Sequence, residues 1–195
     1  MDPSVQVAQV VPRTEAEGPG VRFAIWVQGC TIRCPGCCNP EMFPRSGGTT
    51  LSVDELLRHV ADTRGIEGIS LLGGEPFEQA APLVALARAV QGAGLSVMIF
   101  TGYRLDELRR SGDRATLDLV AASDLIVDGR FERELPDRAR RWVGSTNQEI
   151  HFLTPRYAPD DPRFREANTV EIHLRPKDGL VVVNGWPALA ARFRP

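Results

Sequence analysis

Residues 23–40 read Phe23-Ala-Ile-Trp-Val-Gln-Gly-Cys-Thr-Ile-Arg-Cys-Pro-Gly-Cys-Cys-Asn-Pro40, an apolar, β-prone run followed directly by a cysteine-rich loop. Further apolar runs of strand length lie at 66–72, 95–100 and 124–127. Helical patterns separate them, including an alanine-rich segment at 80–91. Alternation of helices with continuously apolar strands predicts an α/β fold whose sheet is parallel and covered on both faces.

Glycine-containing turns follow these predicted strands. The second strand ends in Gly73-Gly-Glu-Pro76, the third in Thr101-Gly-Tyr103, and the fourth in Asp128-Gly129. In parallel α/β folds the carboxyl ends of the strands meet at one edge, which is where ligands bind. We therefore expect these turns and the cysteine loop to converge on one site.

Three of the four cysteines have the spacing of a metal-cluster motif. Cys30, Cys34 and Cys37 form Cys-x3-Cys-x2-Cys, and no fourth ligand follows at a regular spacing. Three thiolates can hold three corners of a [4Fe–4S] cube and leave one iron open for chemistry. With S-adenosylmethionine on that iron, reduction of the cluster can break a C–S bond and release a carbon radical. The motif predicts a radical enzyme.

Two structural alternatives compete with the cluster. A zinc knuckle needs four ligands, and His59, His151 and His173 are remote in sequence. A chance group of buried thiols is disfavoured by the proline- and glycine-rich loop. Cys38 is predicted to be a buried or semi-exposed thiol outside the ligand set, because the side chains of neighbouring cysteines diverge.

The turns suggest further ligand contacts. The glycines of Gly73-Gly-Glu-Pro76 would let a ligand approach the backbone, and Glu75 could present an acceptor to a ligand ammonium. Alone, this motif is also compatible with a simple tight turn. Arg130, directly after Asp128-Gly129, could reach an anionic group, whereas the arginine-rich stretch 130–141 is best interpreted as a solvated face.

Bulk properties indicate a single cytoplasmic domain. The chain has 195 residues and a formal net charge of -2, which offers no electrostatic argument for binding nucleic acid or an anionic membrane. The N-terminus lacks the pattern of a signal peptide, and clustered cysteines do not suggest a disulfide framework. We divide the chain into a core, 1–153, and an extension of the same domain, 154–195, for which we predict a β-hairpin.

The motifs together resemble the radical S-adenosylmethionine superfamily. More narrowly, they are similar to the activating enzymes of glycyl-radical enzymes such as the anaerobic (class III) ribonucleotide reductase. The resemblance spans most of residues 18–153. It rests on the cysteine loop and on five further segments: Gly18-Pro-Gly-Val-Arg22, Gly68-Ile-Ser-Leu-Leu-Gly-Gly-Glu-Pro76, Thr101-Gly-Tyr-Arg-Leu-Asp-Glu-Leu108, Asp124-Leu-Ile-Val-Asp-Gly129 and Trp142-Val-Gly-Ser-Thr-Asn-Gln148.

The resemblance implies roles for particular residues. The three cysteines of the motif would ligate the [4Fe–4S] cluster. Gly73, Gly74, Glu75 and Pro76 would line the amino group of S-adenosylmethionine. Ribose and carboxylate would be held near Thr101 and the turn that contains Asp128 and Arg130. The implied fold is an incomplete (β/α) barrel with an open side for a macromolecular partner.

The resemblance also implies a reaction and its partners. A flavodoxin- or ferredoxin-like donor would reduce the cluster, and the resulting 5′-deoxyadenosyl radical would abstract Hα from a glycine of a glycyl-radical enzyme. Two departures from the family, Cys38 in place of an aromatic residue and the extension, keep a small metabolite or peptide as an alternative substrate. A non-enzymatic electron-transfer or zinc module is a third hypothesis.

Overall fold

The computed structural model describes residues 3–175 and 179–190. Within these ranges, seven strands form one mixed sheet: β1 (Ser4–Thr14), β2 (Arg22–Val27), β3 (Thr49–Ser52), β4 (Gly68–Gly73), β5 (Ser96–Phe100), β6 (Leu125–Asp128) and β7 (Glu149–Phe152). Their spatial order is β3-β1-β2-β4-β5-β6-β7. Two further strands, β8 (Val170–Arg175) and β9 (Leu180–Gly185), pair antiparallel as a separate sheet.

The centre of the sheet is parallel, as the sequence predicts. Strands β2, β4, β5 and β6 run in the same direction, whereas β1, β3 and β7 are antiparallel to their neighbours. The parallel core and the C-terminal β-hairpin are thus confirmed. Residues 176–178, which fall between the two strands of the hairpin, lie outside the described residues. Strand β1 was not predicted, although Val5, Val7 and Val11 are buried along it.

Five helices follow the strands in the described chain: α1 (Val53–Asp62), α2 (Ala80–Gly92), α3 (Leu105–Arg110), α4 (Arg114–Ala121) and α5 (Pro187–Ala190). Short 3-10 turns lie at Pro40–Met42, Pro76–Gln79 and Pro162–Arg165. A capping box begins α1, because Glu55 N donates to Ser52 Oγ at 3.2 Å and Ser52 N donates to Glu55 Oε2 at 2.8 Å. Among the described helices, none is both long and apolar enough to cross a bilayer.

Both faces of the sheet are covered, but by different kinds of structure. Phe23, Ile25 and Val27 of β2 face one apolar cluster that also contains the buried side chains of α1, α2 and α4. The intervening side chains of β2, such as Trp26, point to the opposite face, since successive side chains alternate along a strand. There, irregular chain after β6 supplies the cover, with Phe164 among its buried residues.

A fully buried arginine connects this irregular cover to the sheet. The Arg22 guanidinium donates to Ser70 Oγ at 3.1 Å, to Ser96 Oγ at 2.5 Å and to the Ile69 carbonyl. It also donates to the Tyr157 hydroxyl at 3.3 Å, and burial lowers its pKa. Because these partners belong to β4, β5 and the segment after β7, the C-terminal part of the chain is hydrogen-bonded to the parallel core.

Candidate metal centre

A cavity of about 170 Å³ lies at the carboxyl ends of the parallel strands. It brings together residues that are distant in sequence, and we call it the cysteine cavity. Of the predicted site residues, seven line it: Cys30, Cys34, Cys37, Gly73, Gly74, Glu75 and Thr101. The expected convergence of the cysteine loop with the turns after β4 and β5 is therefore present in the fold.

Backbone hydrogen bonds hold the start of the cysteine loop in place. Gly29 N donates to the Met42 carbonyl at 2.9 Å, and Cys30 N donates to the Phe43 carbonyl at 3.0 Å. The Gln28 side-chain amide donates to two more carbonyls of the returning segment, at 3.2 and 2.7 Å. Since β2 ends at Val27, three residues before Cys30, the position of the sheet determines where Cys30 lies.

The sulfur atoms lie among backbone N–H groups. Burial raises the pKa of the Cys30 thiol, and the amides of Arg33 and Ile32 act in the opposite direction. Burial likewise raises the pKa of the Cys34 thiol. Asn39 N donates to Cys37 Sγ at 3.4 Å. A bound metal would favour the thiolates, and hydrogen bonds to sulfur stabilise the negative charge of an iron–sulfur cluster.

The cysteines do not suit a single zinc ion. Tetrahedral ligands on one zinc, with Zn–S bonds near 2.3 Å, place their sulfur atoms about 3.8 Å apart. Among the described residues, no three cysteine sulfur atoms lie within 4.8 Å of one another. No histidine in the described ranges lines the cavity either. Ligands of a cube bind separate irons and are more widely spaced, so this donor set fits a cluster better than zinc.

The two glycines after β4 are required by the protein backbone itself. Gly74 N donates to the Val27 carbonyl at 2.8 Å, and Glu75 N donates to the Gly29 carbonyl at 2.8 Å. A Cβ on Gly74 would lie 2.9 Å from Val27 O and still closer to Gly29 O. Both glycines are therefore needed for close packing against the chain that leads to Cys30. Since both also line the cavity, their contact with a ligand stays a prediction.

Glu75 connects the turns after β4 and β5. Its Oε1 accepts hydrogen bonds from Phe77 N at 3.0 Å and Thr101 Oγ1 at 2.8 Å, and its Oε2 accepts one from Gly102 N at 2.9 Å. The residue is 1 % exposed. Burial raises its pKa to about 7, against the opposing effect of these three donors. Glu75 thus holds the turn after β5 against the turn after β4, and both turns form part of the cavity wall.

Replacing Glu75 by glutamine is expected to remove a pH dependence of stability. Because the pKa is raised from 4.5 to about 7, protonation of Glu75 stabilises the fold fully below pH 4.5, and this contribution is lost as the pH rises through 7. Between pH 5 and 8 the wild-type free energy of unfolding should fall by about 2–3 kcal/mol relative to Glu75→Gln. Anaerobic urea unfolding at a series of pH values measures the free energy of unfolding of wild type and of Glu75→Gln. If the two free energies change with pH in parallel, the prediction is wrong.

Three predicted residues do not line the cavity. Pro76 lies just beyond its wall, at the start of a 3-10 turn. Asp128 Oδ2 accepts a hydrogen bond from Leu105 N at 2.6 Å and lies 2.9 Å from His151 Nε2. Arg130 lines a separate surface pocket. Gly129, between them, does face the cavity. Asp128 is the last residue of β6, and the chain turns at Gly129, which has a positive φ of 100°.

Sequence reasoning did not identify several residues of the wall. Asn39, Asn184 and Trp186 line the cavity, and each has a buried polar atom that lacks a hydrogen-bond partner among the described residues. The sequence carries only a weak signal for them, because Asn39-Pro40 and Gly185-Trp-Pro187 are short segments with a polar or aromatic residue beside proline. Nothing local to either segment indicates that they meet.

Comparison with known proteins agrees with the geometry of the site. Residues 16–151 match a family model described as a 4Fe-4S single cluster domain. An anaerobic ribonucleoside-triphosphate reductase-activating protein of Salmonella typhi is 35% identical over 153 residues, covering 74% of this chain and 97% of the relative. Proteins of the same name from Vibrio cholerae and Enterobacteria phage T4 are 35% and 29% identical, over 75% and 73% of this chain and 97% and 90% of their own lengths. The chain therefore belongs to the family of anaerobic ribonucleoside-triphosphate reductase-activating proteins and contains its 4Fe-4S single cluster domain.

Proposed function

We propose that this protein is a radical S-adenosylmethionine enzyme that installs a glycyl radical on an anaerobic ribonucleotide reductase. One observation carries the proposal. The three cysteines of Cys-x3-Cys-x2-Cys share a cavity with the glycine turn after β4 and with Thr101 after β5. A cluster with only three protein ligands needs such a neighbouring site for the molecule that completes its fourth iron.

Each group in this cavity has a role in the proposal. Cys30, Cys34 and Cys37 ligate three irons of the [4Fe–4S] cluster. Gly73 and Gly74 supply a backbone wall for the amino-acid end of S-adenosylmethionine, and Glu75 and Thr101 hold that wall in position. The proposal gives Asp128 and Arg130 no direct contact with the ligand, because neither residue lines the cavity.

The bound cofactors supply the difficult chemistry, and the protein supplies position and exclusion of water. When bound, the cluster and S-adenosylmethionine would supply a 5′-deoxyadenosyl radical by one-electron reductive cleavage of the 5′-C–S bond, with methionine as the other product. Transfer of a hydrogen atom from a glycine Cα of the partner would then give 5′-deoxyadenosine and the glycyl radical. The electron comes from a flavodoxin- or ferredoxin-like donor. No proton transfer by a side chain is required.

The proposal includes an architecture. The four parallel strands, with helices on one face, form part of an incomplete (β/α) barrel, for which the parallel order of β2, β4, β5 and β6 gives support. Residues 1–153 make up the catalytic core, and 154–195 form an extension of the same domain. The reductase supplies its glycine at the cysteine cavity.

A small metabolite or a peptide is the second candidate substrate. One observation favours it: residues 184–187 of the extension line the cavity, although the family model ends at residue 151. A wall that the family model does not include could restrict entry to a smaller molecule. Turnover of such a substrate without any protein partner would favour this candidate over the reductase.

Formation of 5′-deoxyadenosine tests the radical reaction. Anaerobically reconstituted, reduced protein is incubated with S-adenosylmethionine, with and without an anaerobic ribonucleotide reductase, and the products are measured by mass spectrometry. We expect 5′-deoxyadenosine, together with a glycyl-radical signal in the electron paramagnetic resonance spectrum of the reductase. Cluster-containing protein that forms no product with either addition would contradict the proposal.

A further inference from the structure

The C-terminal extension reaches the cysteine cavity. Between β9 and α5, the chain contributes the consecutive residues Asn184, Gly185, Trp186 and Pro187 to its lining. The same cavity contains the cysteines of the loop after β2. Because the family model covers only residues 16–151, this wall is an addition to the domain that the model describes.

The added wall is held firmly against the end of β1. Asn184 Nδ2 donates to Thr14 Oγ1 at 2.9 Å and to Glu17 Oε1 at 3.2 Å, and Gly185 N donates to the same carboxylate oxygen at 2.7 Å. Trp186 N donates to the Thr169 carbonyl at 3.0 Å. These contacts fix the position of Asn184 and Trp186 through their backbone and the amide nitrogen of Asn184.

The remaining polar atoms of these two side chains are buried and unused. Asn184 is 3 % exposed. Within the part of the chain that the structure describes, its Oδ1 and the Nε1 of Trp186 have no hydrogen-bond partner. A buried polar atom without a partner costs about 1–3 kcal/mol, so native proteins pair such atoms with protein, water or ligand. Asn184 Oδ1 is an acceptor and Trp186 Nε1 is a donor, and both residues line the cavity.

We propose that Asn184 and Trp186 bind the nucleoside half of S-adenosylmethionine, with Asn184 Oδ1 accepting and Trp186 Nε1 donating a hydrogen bond. The inference rests on the function proposed above. A nucleoside carries neutral donors and acceptors side by side on its base and ribose, which matches a neutral acceptor and donor. The ammonium and carboxylate of the methionine half are charged and need different partners. Aromatic residues elsewhere in the lining, such as Trp26 and Phe100, suit a flat purine.

Trp186→Phe tests the inference, since it removes the indole N–H and keeps an aromatic ring. Binding of S-adenosylmethionine is measured by calorimetry on protein with an oxidised cluster, so that no cleavage consumes the ligand. Loss of one buried hydrogen bond should weaken binding about tenfold. Binding of 5′-deoxyadenosine should weaken by the same factor, whereas any binding of methionine should not change.

Trp142→Phe is the matched control. Trp142 lines the same cavity, but its Nε1 already donates to the Glu15 carbonyl at 3.1 Å. We expect its affinity for S-adenosylmethionine to stay within about twofold of wild type, since no ligand hydrogen bond is lost. Iron and sulfide contents, measured on each variant, establish that the cluster is intact.

The outcomes separate this inference from the proposed function. If cluster-loaded wild type binds S-adenosylmethionine and Trp186→Phe binds it equally well, the inference is wrong and the proposed function stands. Equal weakening by Trp142→Phe, or a parallel loss of methionine binding, also overturns the inference. If cluster-loaded wild type binds no S-adenosylmethionine at all, the proposed function itself fails.

Discussion

Replacing Cys34 by serine is expected to remove the iron and sulfide from the protein and to abolish formation of 5′-deoxyadenosine. Only two thiolates of the motif would remain, and a serine hydroxyl is a far weaker ligand for iron than a thiolate. The loop itself should keep its fold, because the hydrogen bonds of Gly29 and Cys30 do not involve Cys34. Iron and acid-labile sulfide are measured after anaerobic reconstitution, and the nucleoside product by mass spectrometry.

Cys38→Ser provides the matched control for that experiment. Cys38 lines the same cavity as Cys34 but is not part of Cys-x3-Cys-x2-Cys. Cys37 also lines the cavity, and the spacing of the motif assigns Cys37 rather than Cys38 to the cube. The variant should therefore retain its iron and its activity. Equal loss of iron from both variants would refute the assignment of the three ligands.

Replacing Gly74 by alanine is expected to destabilise the fold and to deplete the cluster. The added methyl group would lie between two carbonyl oxygens, those of Val27 and Gly29, and would force apart the hydrogen-bonded junction of the glycine turn with the cysteine loop. Overpacking of this kind costs about 1–3 kcal/mol, and we expect the upper end because the obstacles are backbone atoms. Displacement of Gly29 also moves Cys30, so the iron content should fall together with the free energy of unfolding.

Gly92→Ala makes the same substitution where space is available. Gly92 ends α2, and a Cβ there meets no atom within 4 Å. Alanine is favoured over glycine in a helix by about 1 kcal/mol, so this variant should be as stable as wild type or slightly more so. Urea unfolding and iron analysis compare the two variants. If Gly74→Ala has the stability and the iron content of wild type, the glycine turn and the cysteine loop can move apart without harm, and the prediction is wrong.

The parallel strands were predictable because their signal is local. Each of β2, β4, β5 and β6 is an almost uninterrupted apolar run that ends at a turn, because both faces of these strands are buried. Their few polar residues, such as Arg22, Ser70 and Ser96, are buried, and Arg22 donates hydrogen bonds to both serines. Strand β1 carries a weaker signal. It lies between β2 and a short strand near the edge of the sheet, and several of its side chains are only partly buried, so polar residues interrupt the pattern.

The candidate site was predictable only where its residues follow strand ends directly. The cysteine loop, Gly73-Gly-Glu-Pro76 and Thr101 follow parallel strands, whose carboxyl ends share one edge. The same rule pointed to Asp128 and Arg130, but Asp128 lies against Leu105 and His151, Arg130 lines a separate surface pocket, and Gly129 between them lines the cavity. Glu75 is buried and accepts hydrogen bonds from Phe77, Thr101 and Gly102, and its motif alone did not indicate these contacts within the protein.

The sequence by itself determined the metal chemistry, because Cys30, Cys34 and Cys37 lie within eight residues and their spacing alone limits what they can bind. It also determined the parallel order of the central strands, through apolar runs and turns that are local. Only the tertiary structure decided that the extension closes one side of the cysteine cavity. The contact between Asn184 and Glu17 joins residues 167 positions apart, and a contact over that distance depends on packing of the whole chain, which no local pattern records.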